Sequence, residues 1–191
     1  MDEPGSSVTM TDGERALVEW AILTAANAHN TQSRRYTNEP YIYHPLRVMF
    51  AAAELGMSAE AQAAAVLHDV VEDCNVSESS ILLMFGEKVK RLVGELTDLQ
   101  TPADGNRAER KEKALKALSI ASMEAQTLKL IDLADNAVSI RQHDKKFWPV
   151  FRDEALAVLD ESKSRFLKGG AHSSAWETLD ALLVEDSSDA E

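Results

Sequence analysis

The segment AVLHDVVED at 65–73 sets four titratable side chains, His68, Asp69, Glu72 and Asp73, into an otherwise apolar helical run. At helical spacing His68 and Glu72 fall one turn apart on one face, as do Asp69 and Asp73. Burying that many charged groups without compensation is costly. A divalent cation is one form of compensation, because imidazole nitrogen and carboxylate oxygen both suit a borderline transition metal. Standing alone, a His–Asp dipeptide is better read as a solvated polar face with one incidental histidine. Two further stretches change that reading. PYIYHPL places His44 immediately before Pro45, where a loop enters a helix, and KLIDLADNAVSI carries Asp132, Asp135 and Asn136 in an amphipathic helix. Together these residue types could gather around one divalent cation.

The elements that must position these groups are helices. A chain of 191 residues with 45% hydrophobic and 27% charged content fits one generous globular domain. Only 5 prolines and 8 glycines interrupt it, and no strand-like alternation or internal repeat is visible. The spacing predicts a helix from about Asp12 to Ala28, with Thr11 as cap, Glu14 at capping-box distance, and Leu17, Trp20, Ile22 and Leu23 on its buried face. Asn30–Tyr43 reads as loop. Further helices are expected at Pro45–Leu55, Ala59–Val71, Glu78–Phe85, Lys88–Thr97, Arg107–Ser122, Glu124–Gln142 and Pro149–Phe166. Gly56 and Gly86 act as stops. A short amphipathic helix then contains Trp176, Leu179 and Leu182. Trp20, Trp148 and Trp176 are expected to be packing anchors, His29 a packing or hydrogen-bonding residue, and His143 and His172 surface residues. The fold class is all-α, a single compact domain.

Net charge narrows the partners. The formal charge of −12 repels duplex nucleic acid and anionic membranes. A polyanionic small substrate therefore needs a metal or a local basic patch, and SRRY (Arg34, Arg35) and NRAERKEK (Arg107, Arg110, Lys111) offer one. The single cysteine, Cys74, excludes an internal disulfide and marks no nucleophile. The acidic, polar start MDEPGSSVTM is unlike a secretory signal, so a cytoplasmic location is expected. A homo-oligomer remains open.

His44, His68–Asp69 and a distant Asp resemble the metal-binding pattern of HD-domain phosphohydrolases. The likeness goes further: AHNTQSRRYTNEPYIYHPLRV, AVLHDVVEDC, FGEKVKRLVGELTDL and KLIDLADN, in that order, resemble the hydrolase domain of the RelA/SpoT alarmone enzymes. Free-standing forms of that domain, the small alarmone hydrolases or Mesh1-like group, have about this length. The resemblance covers roughly residues 14–145 and implies an HD-domain helical bundle, expected over 12–168; composition adds a flexible leader at 1–11, a C-terminal helical extension at 169–185 and an acidic tail at 186–191.

It also implies an activity: removal of the 3′-pyrophosphate from guanosine tetra- or pentaphosphate, with Mn²⁺ as the usual metal. His44, His68 and Asp69 match the first three ligands. For the fourth, the register with Asp132 also matches Lys129, Asn136 and Ser139. The register with Asp135 keeps only Ala134 and Arg141, so Asp132 is preferred. Glu72 and Asp73 correspond to the residues that position or activate the attacking water. Arg34, Arg35, Asn136 and Ser139 correspond to substrate contacts, and Arg107 and Arg110 are candidates for the distal phosphates. Tyr36 and Asn38 depart from the family's Lys and Gly in the base-binding loop. That departure keeps other substrates open: an adenosine alarmone, NADPH or a nucleoside monophosphate. A module that senses a nucleotide without turning it over is the non-catalytic alternative.

Overall fold

The Thr11 hydroxyl accepts from the Glu14 N–H, and the Glu14 carboxylate accepts from the Thr11 N–H at 2.8 Å, so the expected capping box starts α1 (Asp12–Ala28). The computed structural model describes residues 10–98, 100–166 and 170–184. Most of the expected leader and the whole acidic tail therefore lie outside the described residues, as does 167–169. The buried face of α1 is Val18, Ala21 and Ala25, with Leu17 and Ile22 beside it. Trp20 and Leu23 were expected on this face, yet they are 54% and 55% exposed. They lie on a second stripe of the helix, and alanines make the close contact instead.

α2 (Tyr43–Glu54) begins two residues ahead of the expected Pro45, so His44 lies inside its first turn. Pro45 is tolerated there because first-turn N–H groups have no acceptor within the helix. Gly56, at φ 69°, turns the chain out of α2. α3 (Ala59–Leu67) is capped by Ser58 and buries every residue except Glu60. Here the continuous helix expected over Ala59–Val71 does not form. The chain breaks at His68–Asp69 and resumes as the short α4 (Val70–Asp73). Asp69 adopts φ −96°, ψ −6° and makes no cap bond to α4; its carboxylate is turned instead to Tyr41 and His68.

α5 (Glu78–Leu96) contains the expected break at Gly86, whose φ 81°, ψ 176° is non-helical. A 3-10 turn at Pro102–Asp104 precedes α6 (Arg107–Ile120), which buries no residue. α7 (Met123–His143), α8 (Trp148–Phe166) and α9 (Ala171–Leu183) complete the order. α3 is the central rod, packed by α1, α2, α5 and α7, while α9 lies across α7 and α8 and buries Ala175, Leu179 and Leu183. Trp148 and Trp176 pack against the core as expected.

The molecule is a compact all-α domain, with no strand among the described residues beyond one isolated bridge, Ser33–Pro40. Among those residues, no helix is long and apolar enough to cross a membrane.

Candidate metal centre

α2, the α3–α4 junction and α7 deliver four side chains to one point. His44, His68 and Asp69 each offer a ligand atom, all within 4.8 Å of one another. Asp132, on α7, sets Oδ1 3.2 Å from His44 Nε2 and 3.8 Å from His68 Nε2. Asp69 Oδ2 lies 3.0 Å from His68 Nε2 and 3.7 Å from His44 Nε2. Both histidines and Asp132 are buried.

Each of these groups is also hydrogen-bonded to a neighbour. His68 Nδ1 donates to the Ala65 carbonyl at 2.8 Å, and His44 Nδ1 donates to Asp135 at 2.7 Å. Each ring therefore turns Nε2 inward. Asp132 accepts from Lys129 on Oδ2 and from Asn136 on Oδ1, both at 2.7 Å. Asp69 accepts from the Tyr41 hydroxyl at 2.7 Å.

Electrostatics follow from this crowding. Burial disfavours a charged His68, yet the carboxylates of Asp69 and Asp132 outweigh it and push the imidazole up to about 9. His44 is also raised against burial, by its bonds to Asp132 and Asp135. Burial would raise Asp132, but Lys129 and the two histidines hold it well below the usual carboxylate range. Asp69 is likewise depressed against burial, chiefly by His68.

The residues fit a divalent cation. His68 Nε2 is buried without a well-aligned hydrogen bond, and the Asp69 carboxylate lies 3.0 Å from it. Two imidazoles and two carboxylates form the mixed N/O donor set of a first-row transition metal. His44, His68 and Asp69 could hold such an ion together, and Asp132 is within reach of the same place. Asp135, the rival in the sequence, bonds to the opposite edge of the His44 ring.

The other predicted residues are distributed unevenly. Glu72 is exposed on α4 and accepts from the Asp98 N–H at 3.3 Å. Its carboxyl is raised by surrounding protein and by the Asp69 charge. Asp73 accepts from Gln32 at 2.9 Å. Arg34 donates to Asn136 at 2.9 Å, which ties the 30–42 loop to Asp132 through Asn136. Arg35 is exposed, its guanidinium 5.4 Å from the centre of the Tyr36 ring. Ser139 lies on α7, three residues beyond Asn136. Arg107 and Arg110 bond elsewhere: Arg107 to Glu154 at 2.7 and 2.8 Å, Arg110 to the Gly105 carbonyl at 2.8 Å.

Asn38 sits at φ 56°, a left-handed position that suits Gly or Asn, so its departure from the family's glycine leaves the turn intact. Tyr36 donates to Asp144 at 2.9 Å and stacks on His143. His29 is buried against Tyr41, Gln32 and Cys74, the hydrogen-bonding role expected of it. His172, expected at the surface, is half-buried against Thr127. Sequence reasoning missed Tyr41 and Arg47. Their types carried no signal, although Tyr41 stands three residues before His44 and Arg47 three after it.

The HD-domain family model matches residues 21–158. This chain belongs to the HD-domain family. Among curated proteins, the HD domain is 37% identical over 139 residues to the guanosine-3′,5′-bis(diphosphate) 3′-pyrophosphohydrolase of Aquifex aeolicus, covering 72% of this chain and 18% of that protein. The Vibrio cholerae protein of the same name is 31% identical over 132 residues, 69% of this chain and 19% of its own length. The chain thus spans less than a fifth of these relatives. Among solved structures, a metazoan ortholog of SpoT described as hydrolyzing ppGpp superposes with a TM-score of 0.77 at 25% identity, covering 92% of this chain and 96% of that one. The HD domain also superposes on the Listeria monocytogenes protein lmo0812 with a TM-score of 0.61 at 21% identity, which bears on the fold alone.

Proposed function

We propose that this HD domain is a metal-dependent 3′-pyrophosphohydrolase of guanosine tetra- and pentaphosphate. The observation that carries the reading is the meeting of His44, His68, Asp69 and Asp132, from three distant stretches, with both imidazole Nε2 atoms turned toward the carboxylates. The names of the curated relatives and of the metazoan SpoT ortholog supply the substrate class.

His44, His68, Asp69 and Asp132 would hold the cation, which we assign as Mn²⁺. When bound, it supplies Lewis acidity toward a phosphate oxygen and makes water easier to deprotonate. Glu72 orients the attacking water and accepts its proton, and its raised carboxyl is suited to general-base work. Asp73 holds the second position near that water. The new bond forms between water oxygen and the phosphorus attached at the ribose 3′-oxygen. The 3′-O–P bond breaks, pyrophosphate departs and the 3′-oxygen takes up a proton, leaving GDP or GTP. Arg34 and Arg35 receive the base or phosphates, and Asn136 and Ser139 contact the nucleoside. Arg107 and Arg110 would meet the distal phosphates only by exchanging their present bonds.

Purified protein with Mn²⁺ should release pyrophosphate from guanosine 3′,5′-bis(diphosphate), and His68→Ala or Asp132→Ala should abolish the release. Metal demonstrably bound with no pyrophosphate released would defeat the reading. One observation favours a second substrate: Tyr36, where the family has Lys, is committed to Asp144. An adenosine alarmone, NADPH and nucleoside monophosphates therefore belong in the same assay, with phosphate and pyrophosphate measured separately. Tight nucleotide binding without turnover across several metals would instead indicate a sensing module.

A further inference from the structure

Asp135 stands behind His44, on the edge of the ring away from the other carboxylates. Its Oδ2 accepts from His44 Nδ1 at 2.7 Å, whereas Nε2 faces Asp132 and Asp69. Arg47, three residues along α2, donates from Nε to Asp135 Oδ1 at 2.5 Å and from Nη2 to Oδ2 at 3.1 Å. The same guanidinium is held from outside by Glu39, with Nη1 and Nη2 each 3.1 Å from Oε1. Glu39, Arg47, Asp135 and His44 thus form one hydrogen-bonded chain that ends at the metal centre.

We infer that Asp135 and Arg47 are positioning residues that fix His44 as a ligand. Asp135 holds the proton of the imidazole on Nδ1, which leaves the Nε2 lone pair directed at the cation. A carboxylate acceptor also makes the imidazole a stronger donor than a neutral carbonyl does. His68, backed by the Ala65 carbonyl, lacks that reinforcement. Arg47 has a second task. By occupying both Asp135 oxygens it keeps the carboxylate in place and offsets its charge, and a planar, forked cation is suited to this two-point grip. The inference rests on the metal reading of the site, but it concerns ligand strength and not substrate identity.

The test uses the full chain, stripped of metal by a chelator and titrated with Mn²⁺, with free Mn²⁺ followed by electron paramagnetic resonance. Asp135→Ala should weaken Mn²⁺ binding about 10–100-fold, the usual effect of losing such a partner. It should still bind one ion, with an altered visible spectrum when loaded with Co²⁺. Asp135→Asn keeps an acceptor oxygen and should recover part of the loss. Arg47→Ala should weaken binding in the same direction, and it carries the test if Asp135→Ala does not fold. With guanosine 3′,5′-bis(diphosphate) at saturating Mn²⁺, the KM of Asp135→Ala should change far less than Mn²⁺ affinity, with only a small rise because Arg34 loses an ion-pair partner 3.9 Å away.

Three results would overturn the inference. Wild-type Mn²⁺ affinity and Co²⁺ spectrum in Asp135→Ala, with KM alone raised, would make Asp135 a substrate contact. Complete loss of the ion, matching His44→Ala, would make it a ligand. Failure of the wild type to bind Mn²⁺ or Co²⁺ would remove the site itself. Metal affinity is read without substrate, so failure of the substrate reading is separable from failure here.

Discussion

Each of the four converging side chains is held in place by a neighbour, and Tyr41 is one of those neighbours. Its hydroxyl donates to the same Asp69 oxygen that faces His68. Tyr41→Phe removes that donor while keeping the ring against His29 and His44. The expected outcome is roughly 10-fold weaker Mn²⁺ binding with a stability loss of about 1 kcal/mol. Chelator competition and urea unfolding measure the two effects. His68–Asp69 alone reads as a solvated face in the sequence; His44 and the acidic helix around Asp132 change that, and the family register prefers Asp132 to Asp135. Tyr41 is not legible there, since an aromatic residue beside a histidine looks like ordinary packing. Arg107 and Arg110 show the opposite failure: a basic cluster is visible in the chain, but its bonds to Glu154 and the Gly105 carbonyl arise only when distant segments meet.

Among the elements, α5 depends on a single residue for its shape. Gly86 lies at φ 81°, ψ 176°, a region open essentially to glycine alone. Space is not the obstacle, since a Cβ there would meet nothing within 4 Å. Gly86→Ala should therefore cost about 1–3 kcal/mol from backbone strain alone, read as a lower urea midpoint with an unchanged slope. The second half of α5, which buries Val89, Leu92 and Val93, leads to Asp98, whose N–H meets Glu72. The glycine breaks at 56 and 86 could be read from the chain, because glycine announces its own conformational freedom. The break at His68–Asp69 could not. Local propensity favours a continuous helix through Val71, and the interruption is set by what Asp69 bonds to in three dimensions. Trp20 failed for a related reason: an apolar type permits burial without requiring it.

For the molecule as a whole, α9 is joined to the core that carries the site. Leu179 and Leu183 are buried where α9 crosses α7 and α8, and α7 bears Lys129, Asp132, Asp135 and Asn136. Leu179→Ala should destabilise the whole domain by about 2–5 kcal/mol, seen as a single lowered thermal transition. A separate early transition confined to α9 would show that the helix is a detachable appendage. The all-α class and the order of helices followed from composition and spacing, but the way α9 packs across α7 did not.

The central rod, α3, is built largely from one-carbon side chains: Ala59, Ala61, Ala63, Ala64 and Ala65 are all buried. Backbones can come so near one another only because nothing protrudes between them. This gives the protein a mutational geography. The exposed faces of its outer helices can drift in sequence one residue at a time, whereas any enlargement along the shaft would push apart the very walls that bring distant histidines and acids face to face.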